Sequence, residues 1–448
     1  SVVDRVKLAM GVGLCLCLLA LLAWVYGTEK SVKFQEDKFT ILQVTDLHMT
    51  SFLSYFTDAR STLDQIKWLA SEYDAGLIVA TGDIATAPSM GLVKHIHNKV
   101  CKYVTQDLGL PYMVAFGNHD SDRFNESYDG EGYPTGWREE LLLDIIDDCG
   151  RGGDEPLLMA TPGVPTSTEG KGSDYVVPIL NLDDEVAALA WALDTHSYWC
   201  DGEDTRYGCI EDPQVSWVSD TVSASYTDSG TGDIPPSLVF FHIPTQEWIP
   251  DTTEVTLMYG EYGESVCWSG KDSDVLNDLL NALGNAWVMS VGHDHVNNYC
   301  LETSDTVQPS TADRNVSLCY GGKTSNKSYT DGTSGGRIFD LYLGEDGTLS
   351  SIETYIARQN FEDVYSTEEY RVSMEAGSAM VLGAQTEEGS YHRYLHDGLD
   401  WLAVLLVLCI VLSVVVQRQY GCCCSKRSNE ARVSKGERAG EPVSALVL

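Results

Sequence analysis

Five apolar runs in this chain each break into Asp or His at the point where a buried strand would surface. They are Ile41 to His48, carrying Asp46 and His48; Leu77 to Asp83; Val114 to Asp120, carrying Asn118, His119 and Asp120; Leu238 to His242; and Trp287 to His295, carrying His293 and His295. Such runs read as strands buried on both faces. Helical spacing over 58–73 and 90–106 separates the first three, which makes strand-helix-strand units and implies parallel strands. Sheets of that kind place ligands outside the carboxyl ends of their strands. The five strands are therefore expected to deliver their polar ends into one crevice.

The local spacing has its own logic. Asp46 and His48 alternate, so Leu47 points away while both donors face one side, and His293 and His295 repeat the arrangement. Asp83 and Asn118 each follow a glycine, Gly82 and Gly117, whose missing Cβ lets the backbone turn a donor inward. Singly, each residue has an ordinary reading. His242 after Phe240 and Phe241 would pass for a core histidine, and Gly82-Asp83 for a turn. Together, oxygen and imidazole donors converging from five strands suit hard-to-borderline divalent cations.

Composition limits the rest. With 43% hydrophobic residues, 10 Trp and 23 Tyr in 448 residues, the chain can build a substantial core. A net charge of −37, from 66 acidic and 29 basic residues, argues against a nucleic-acid partner, which calls for a basic footprint. Trp137 to Cys149, 213–221 and 272–283 read as further helices, and 175–180 and 186–193 as strands. His95 and His97, on the helix over 90–106, are expected to be exposed rather than ligands. His196 reads as a loop histidine near Cys200.

The ordered set Asp46-x-His48, Gly82-Asp83, Gly117-Asn118-His119-Asp120, His242 and Gly292-His293-Asp294-His295 resembles the calcineurin-like metallophosphoesterase superfamily over residues 38–343. Longer matches are similar to the branch that holds probable inactive purple acid phosphatases and the fungal Dcr2-type phosphatases. They are Leu193-Asp194-Thr195 with Tyr198, Gln214 to Trp217, Phe240 to Pro244, Gly292 to Asn297 and Cys319 to Gly322. The resemblance implies an α/β four-layer sandwich of two mixed β-sheets flanked by helices, and a phosphate-ester substrate. It also implies two divalent ions, one on Asp46, His48 and His295 and the other on Asn118, His242 and His293, bridged by Asp83. Two such ions about 4 Å apart clamp the attacking and leaving oxygens of an in-line displacement. His119 would protonate the leaving group, with Asp120 holding its ring. Manganese, iron or zinc suits such nitrogen-rich sites. Purple acid phosphatases carry Gly at the position of His48 and a metal-bound Tyr at that of Thr86, so tyrosinate colour is not expected here. A monoester phosphatase is the reading favoured; a phosphodiesterase for a phospholipid headgroup or nucleotide, and a metal-holding scaffold subunit, are the alternatives.

Two apolar stretches bracket this domain, 9–27 and 399–417, with Arg5 and Lys7 before the first and Arg418, Lys426 and Arg427 after the second. They predict an integral membrane protein: residues 1–8 cytosolic, 9–27 a transmembrane signal anchor, 38–358 the lumenal or extracellular catalytic domain, 359–398 a membrane-proximal stalk, 399–417 a transmembrane helix and 418–448 a cytosolic tail. Possible glycosylation acceptors at Asn125, Asn315 and Asn326 fall on the expected outer side. Seven of the 13 cysteines lie in the central region, from Cys101 to Cys319. No pair there has the spacing of a zinc site, so they read as disulfides. Cys200 with Cys209 and Cys300 with Cys319 are the expected pairs, and the odd count leaves one thiol over. Cys422 to Cys424 beside basic residues resembles a palmitoylation site.

Overall fold

The computed structural model describes residues 30–50, 58–121, 137–149, 157–161, 172–200, 203–204, 207–226, 234–250, 258–269, 274–302, 316–325, 334–359, 366–375 and 381–382. The chain divides into two units, 1–387 and 388–448, and all the described residues lie in the first. Two mixed sheets organise them. The first runs, in spatial order, β17 (Val381–Leu382), β16 (Ser366–Glu375), β15 (Leu349–Gln359), β14 (Gly336–Leu343), β2 (Lys38–Val44), β3 (Ala75–Thr81) and β4 (Tyr112–Ala115). β2, β3 and β4 are parallel, and β14 to β17 extend the sheet antiparallel. The second runs β1 (Val32–Lys33), β5 (Tyr175–Leu180), β6 (Val186–Ala192), β9 (Ser237–Phe240), β11 (Ala286–Val291), β13 (Ser317–Tyr320), β12 (Cys300–Glu302) and β10 (Met258–Tyr259). Its centre, β6 to β13, is parallel. A short ribbon pairs β7 (Trp199–Cys200) with β8 (Glu203–Asp204).

Period-two alternation explains how these sheets pack. Ala188, Ala190 and Ala192 of β6 and Leu238 and Phe240 of β9 turn towards Leu42, Ile78 and Phe339 of the first sheet in one core. The intervening Leu189, Trp191, Val239 and Phe241 form a second core. That core also holds Val218 and Val222 of one helix, α4 (Asp212–Ser225), and Val275, Leu276, Leu279, Leu280 and Leu283 of another, α5 (Asp274–Leu283). Leu63, Ile66 and Leu69 of α1 (Asp58–Glu72) cover the first sheet, beside α2 (Met90–Lys102) and α3 (Trp137–Cys149). The small alanines of β6 let the sheets approach, while the apolar stripes of the helices close the outer faces. α4 starts where its sequence says it should: Glu211 and Gln214 cap each other reciprocally and Pro213 sits in the first turn.

Among the described residues three disulfides tie this frame, Cys101–Cys149 between α2 and α3, Cys200–Cys209, and Cys300–Cys319 between β12 and β13, with the Cys267 thiol outside any disulfide. The two expected pairs and the leftover thiol are present. The first pair joins residues 48 apart, a separation that sequence spacing does not single out.

Three expectations need correction. Among the described residues no helix is long and apolar enough to cross a membrane, which removes the support for an integral membrane protein. The segments that suggested one, 9–27 and 399–417, lie outside the described residues, as do the cysteines 422–424 and the acceptors Asn125, Asn315 and Asn326. The stretch 359–398 is not all stalk, because β16 pairs with β15 along its length and belongs to the first sheet. His97 is buried, not exposed: it lies on the core face of α2, beside Val93, Ile96 and Val100.

One buried side chain fixes the two sheets against each other. Gln43 of β2 donates to the Val291 carbonyl at 3.2 Å and to Thr81 Oγ1 at 2.9 Å, and accepts from Ser290 Oγ at 2.6 Å. The bonds cross from β2 to β11, just before Asp46 on one side and His293 on the other. Replacing Gln43 with Leu takes one bond from each of those buried partners. The expected cost is about 1–3 kcal/mol, read in chemical denaturation as a lower midpoint at unchanged slope.

Candidate metal centre

All five expected strand ends meet. β2 leads into Asp46 and His48, β3 into Asp83 and β4 into Asn118 and His119, while β9 and β11 of the other sheet lead into His242, His293 and His295. Their ligand atoms form three overlapping groups, each within 4.8 Å: Asp46, His48 and His295; His48, Asp83 and His119; and Asp83, His242 and His293. Asn118 joins the last through its Oδ1, 3.2 Å from His242 Nε2.

The turns that deliver these donors are strained. Asp46, His48, Asp83 and His293 have φ of 54°, 42°, 52° and 75°, in the left-handed region that non-glycine residues avoid. Such a conformation costs about 1–3 kcal/mol per residue and persists only where the surroundings impose it. Gly82 and Gly117 allow the β3 and β4 ends to interlock. A Cβ on Gly117 would strike the Asp83 nitrogen and carboxylate, and one on Gly82 would lie 2.5 Å from the Gly117 nitrogen.

Each carboxylate divides its oxygens between scaffold and site. Asp46 Oδ2 accepts from Thr45 Oγ1 at 2.8 Å and from the His293 amide at 3.1 Å, leaving Oδ1 3.3 Å from His295 Nε2 and 3.7 Å from His48 Nε2. Asp83 Oδ1 accepts from the His119 amide at 2.8 Å, while Oδ2 lies 3.2 Å from His242 Nε2, 3.7 Å from His48 Nε2 and 4.0 Å from His119 Nε2. Burial alone would raise both carboxyls. Hydrogen bonds from His295 and His48, with charge from His295 and His242, at Asp46, and charge from His242 and His119 at Asp83, instead hold both below the usual carboxylate range.

His242 decides what the pocket wants. Its Nδ1 lies 2.7 Å from the Thr81 carbonyl, which can only accept, so Nδ1 carries the hydrogen. The neutral ring then aims the Nε2 lone pair at Asp83 Oδ2 and Asn118 Oδ1, both acceptors. Three acceptors facing one point need a metal cation or a proton between them. With a proton in that place, burial lowers His242, but the Asp83 carboxylate outweighs it and raises the ring to about 9. His293 goes the other way, pushed down to about 3 by burial and by His242, which keeps its imidazole neutral; its buried Nε2 makes no hydrogen bond. His48 Nε2 and His295 Nε2 stand 2.9 Å apart, and His48 Nδ1 is 2.7 Å from Thr86 Oγ1. Donor types and orphaned lone pairs fit divalent cations.

Asp120 does not hold the His119 ring. Its oxygens accept from the Ala85 amide at 3.0 Å, from His97 Nε2 at 2.9 Å and from the Gly117 amide at 2.9 Å. The residue ties the Asn118 turn to the Asp83 turn, with buried His97 behind it. Its side chain follows its own turn back to the Gly117 amide, three residues earlier, which leaves nothing for the neighbouring ring. Sequence reading also passed over Arg138, which is buried. The guanidinium donates to Asp194 Oδ1 at 2.6 Å and to the Gly117 carbonyl at 2.9 Å, and also reaches Ser121 and Ser197. Only the helical pattern around Trp137 pointed at it. His196 is buried behind this network with φ 58°, its amide bonded to Asp194 Oδ1 at 2.9 Å.

The profile of the calcineurin-like phosphoesterase family matches residues 39–322, well over half of the chain. The chain belongs to that family. It is similar to a protein of Arabidopsis thaliana named probable inactive purple acid phosphatase 28, with 26% identity over 66% of this chain and 73% of that one. It is also similar to phosphatase DCR2 of Saccharomyces cerevisiae, with 25% identity over 66% of this chain but only 50% of that longer protein. Among solved structures, a purple acid phosphatase from yellow lupin seeds aligns at 14% identity with a TM-score of 0.43, over 80% of this chain and 58% of that one.

The support network titrates apart from the donor cluster. Asp174 Oδ1 accepts from the Asp194 amide at 2.9 Å and from Gln214 Nε2 at 2.6 Å, and burial, then the charge of Asp194, raises its carboxyl to about 7 from an ordinary 3.8. The folded protein therefore holds a proton that the unfolded chain releases, so this group's contribution to stability falls as pH rises from 3.8 to about 7 and is flat above. Asp174→Asn, which mimics the protonated acid, is expected to be more stable than the parent above pH 7 and equal to it below pH 4, measured by denaturation across that range.

Proposed function

We propose that the chain is a two-cation phosphatase that hydrolyses phosphomonoesters, its catalytic domain covering residues 38–358 together with the paired strand β16. Asp46, His48 and His295 would hold one cation and Asn118, His242 and His293 the other, with Asp83 facing His48 of the first set and His242 of the second. Manganese, iron(II) or zinc suits this donor set. Bound there, such ions supply Lewis acidity and a water that ionises near neutral pH. The observation that carries the reading is the convergence of acceptors at His242 Nε2, fixed by the Thr81 carbonyl.

The remaining roles belong to the chain itself. Asp46 and Asp83 keep the pocket negative, so that cations rather than protons fill it. His119 stands at the rim, its side chain 25% exposed and its Nε2 4.0 Å from Asp83 Oδ2. From there it meets the leaving oxygen of a bound ester and hands it a proton. Its position comes from its backbone, through the amide bond to Asp83 Oδ1, and from the turn that Asp120 and Arg138 hold. Some relatives are named inactive, but here every donor position and His119 are filled, which supports an active enzyme.

The test is turnover of p-nitrophenyl phosphate beside bis(p-nitrophenyl) phosphate, by the full chain stripped with chelator and reloaded separately with manganese, iron(II) or zinc. Monoester hydrolysis is expected, abolished by Asp83→Asn and lowered about 10²- to 10⁴-fold in kcat by His119→Ala. Preferential diester cleavage would replace the reading with a phosphodiesterase. Metal-loaded protein inert to both esters would contradict it in favour of a scaffold.

A further inference from the structure

Beside the donor cluster stands a pair of aromatic rings that the proposed chemistry does not use. Tyr207 meets His293 edge to face, with ring centroids 4.5 Å apart and planes at 82°. Tyr198 lies nearly parallel to Tyr207, 6.1 Å away at 26°. Both tyrosines are half-buried, and so are His48, His119 and His293, whereas His242 and His295 are buried. His48, His119 and His293 are thus the less enclosed members of the cluster, and the tyrosine pair lies against His293.

These rings are placed by rigid covalent and backbone means. Cys200 and Cys209 close the stretch that carries Tyr207. The Gly208 amide donates to the Ser197 carbonyl at 3.0 Å, directly before Tyr198. Gly208 packs so closely on the end of the β6 strand that a Cβ there would strike the Thr195 carbonyl and His196. That strand end is in turn held by Arg138 on Asp194 and by Gln214 on the Asp194 carbonyl. The buried tyrosines nearby behave differently. Tyr299 and Tyr320 send their hydroxyls to the Trp248 carbonyl and to Asp294 and are fully enclosed. Tyr198 and Tyr207 are only half-buried instead, stacked on each other beside His293.

We propose that Tyr207, backed by Tyr198, is a platform for the leaving group, and that the enzyme prefers phosphate monoesters of an aromatic alcohol. In an aryl phosphate the ring lies one oxygen from the phosphorus. A phosphate resting on the donor cluster thus carries its ring to the tyrosine pair, and ring pairs favour such offset or edge contacts over water. The preference rests on the phosphatase reading, but the platform itself is a binding feature and can be measured without turnover.

The experiment compares phenylphosphonate with methylphosphonate, which cannot be hydrolysed at their P–C bond, binding to the metal-loaded full chain by calorimetry. Turnover of phenyl phosphate and glycerol 2-phosphate is followed in parallel. The parent is expected to favour the phenyl ligand. In Tyr207→Ala that preference falls about tenfold, as the ratio of the two affinities, while Tyr207→Phe keeps it. Tyr198→Ala, which leaves the Tyr207 contact to His293 in place, is expected to lower the ratio less, and it serves as the reporter if Tyr207→Ala does not fold. A parent with no phenyl preference, or a Tyr207→Ala variant that loses both ligands equally, overturns the platform even if esters are hydrolysed. A Tyr207-dependent phenyl preference in a protein that hydrolyses neither ester leaves the platform standing and removes the phosphatase.

Discussion

Two carboxylates out of contact with water, Asp46 and Asp83, sit at the ends of neighbouring parallel strands, and the rest of the structure answers to them. A buried negative charge is costly unless positive charge and hydrogen bonds meet it. The fold brings five imidazoles, two backbone amides and a threonine hydroxyl to those two groups, and the scaffold takes one oxygen of each. The remaining oxygens face ring nitrogens that carry lone pairs of their own. Protons can partly fill that gap, as the raised His242 shows, but divalent cations fill it with the charge that two carboxylates and several neutral imidazoles call for.

Holding such an arrangement has a conformational cost, visible as four left-handed donor residues. What resists it is the packing of both sheets and a layer of buried polar side chains behind the donors. Gln43 locks β2 to β11, Asp120 with His97 locks the Asp83 turn to the Asn118 turn, and Arg138 with Asp194 and Gln214 locks the β4 end to the β6 end. Thr86 turns His48 so that its Nε2 faces inward. The position that carries a metal-bound tyrosine in purple acid phosphatases here bonds a donor histidine from behind.

Much of this was legible in the chain. Strands buried on both faces leave continuous apolar runs, and their polar ends mark the crevice, so the converging strand ends could be read directly, while the two mixed sheets followed from the family resemblance. The supporting layer could not. Arg138 and His97 sit on amphipathic helices among other charged residues, and a sequence shows which face of a helix is apolar more clearly than which polar residue that face will bury. Asp120 was assigned to its neighbour's ring because adjacency in sequence suggested it; the turn directs it elsewhere. The Cys101–Cys149 bridge joins two helices packed side by side, a relation that no spacing rule encodes. The apolar segments at either end suggested membrane spans from hydropathy alone, and no described helix supports them.

The convergence of acceptors around Asp83 is expected to hold two cations. Titration of the chelated full chain with manganese or zinc, followed by calorimetry and by metal content after gel filtration, measures that directly. Two ions per chain are expected, with Asp83→Asn lowering the affinity of both sites because its carboxylate faces His48 of one donor set and His242 of the other. A chain that takes up no ion, or one whose uptake is indifferent to Asp83, would contradict the central claim.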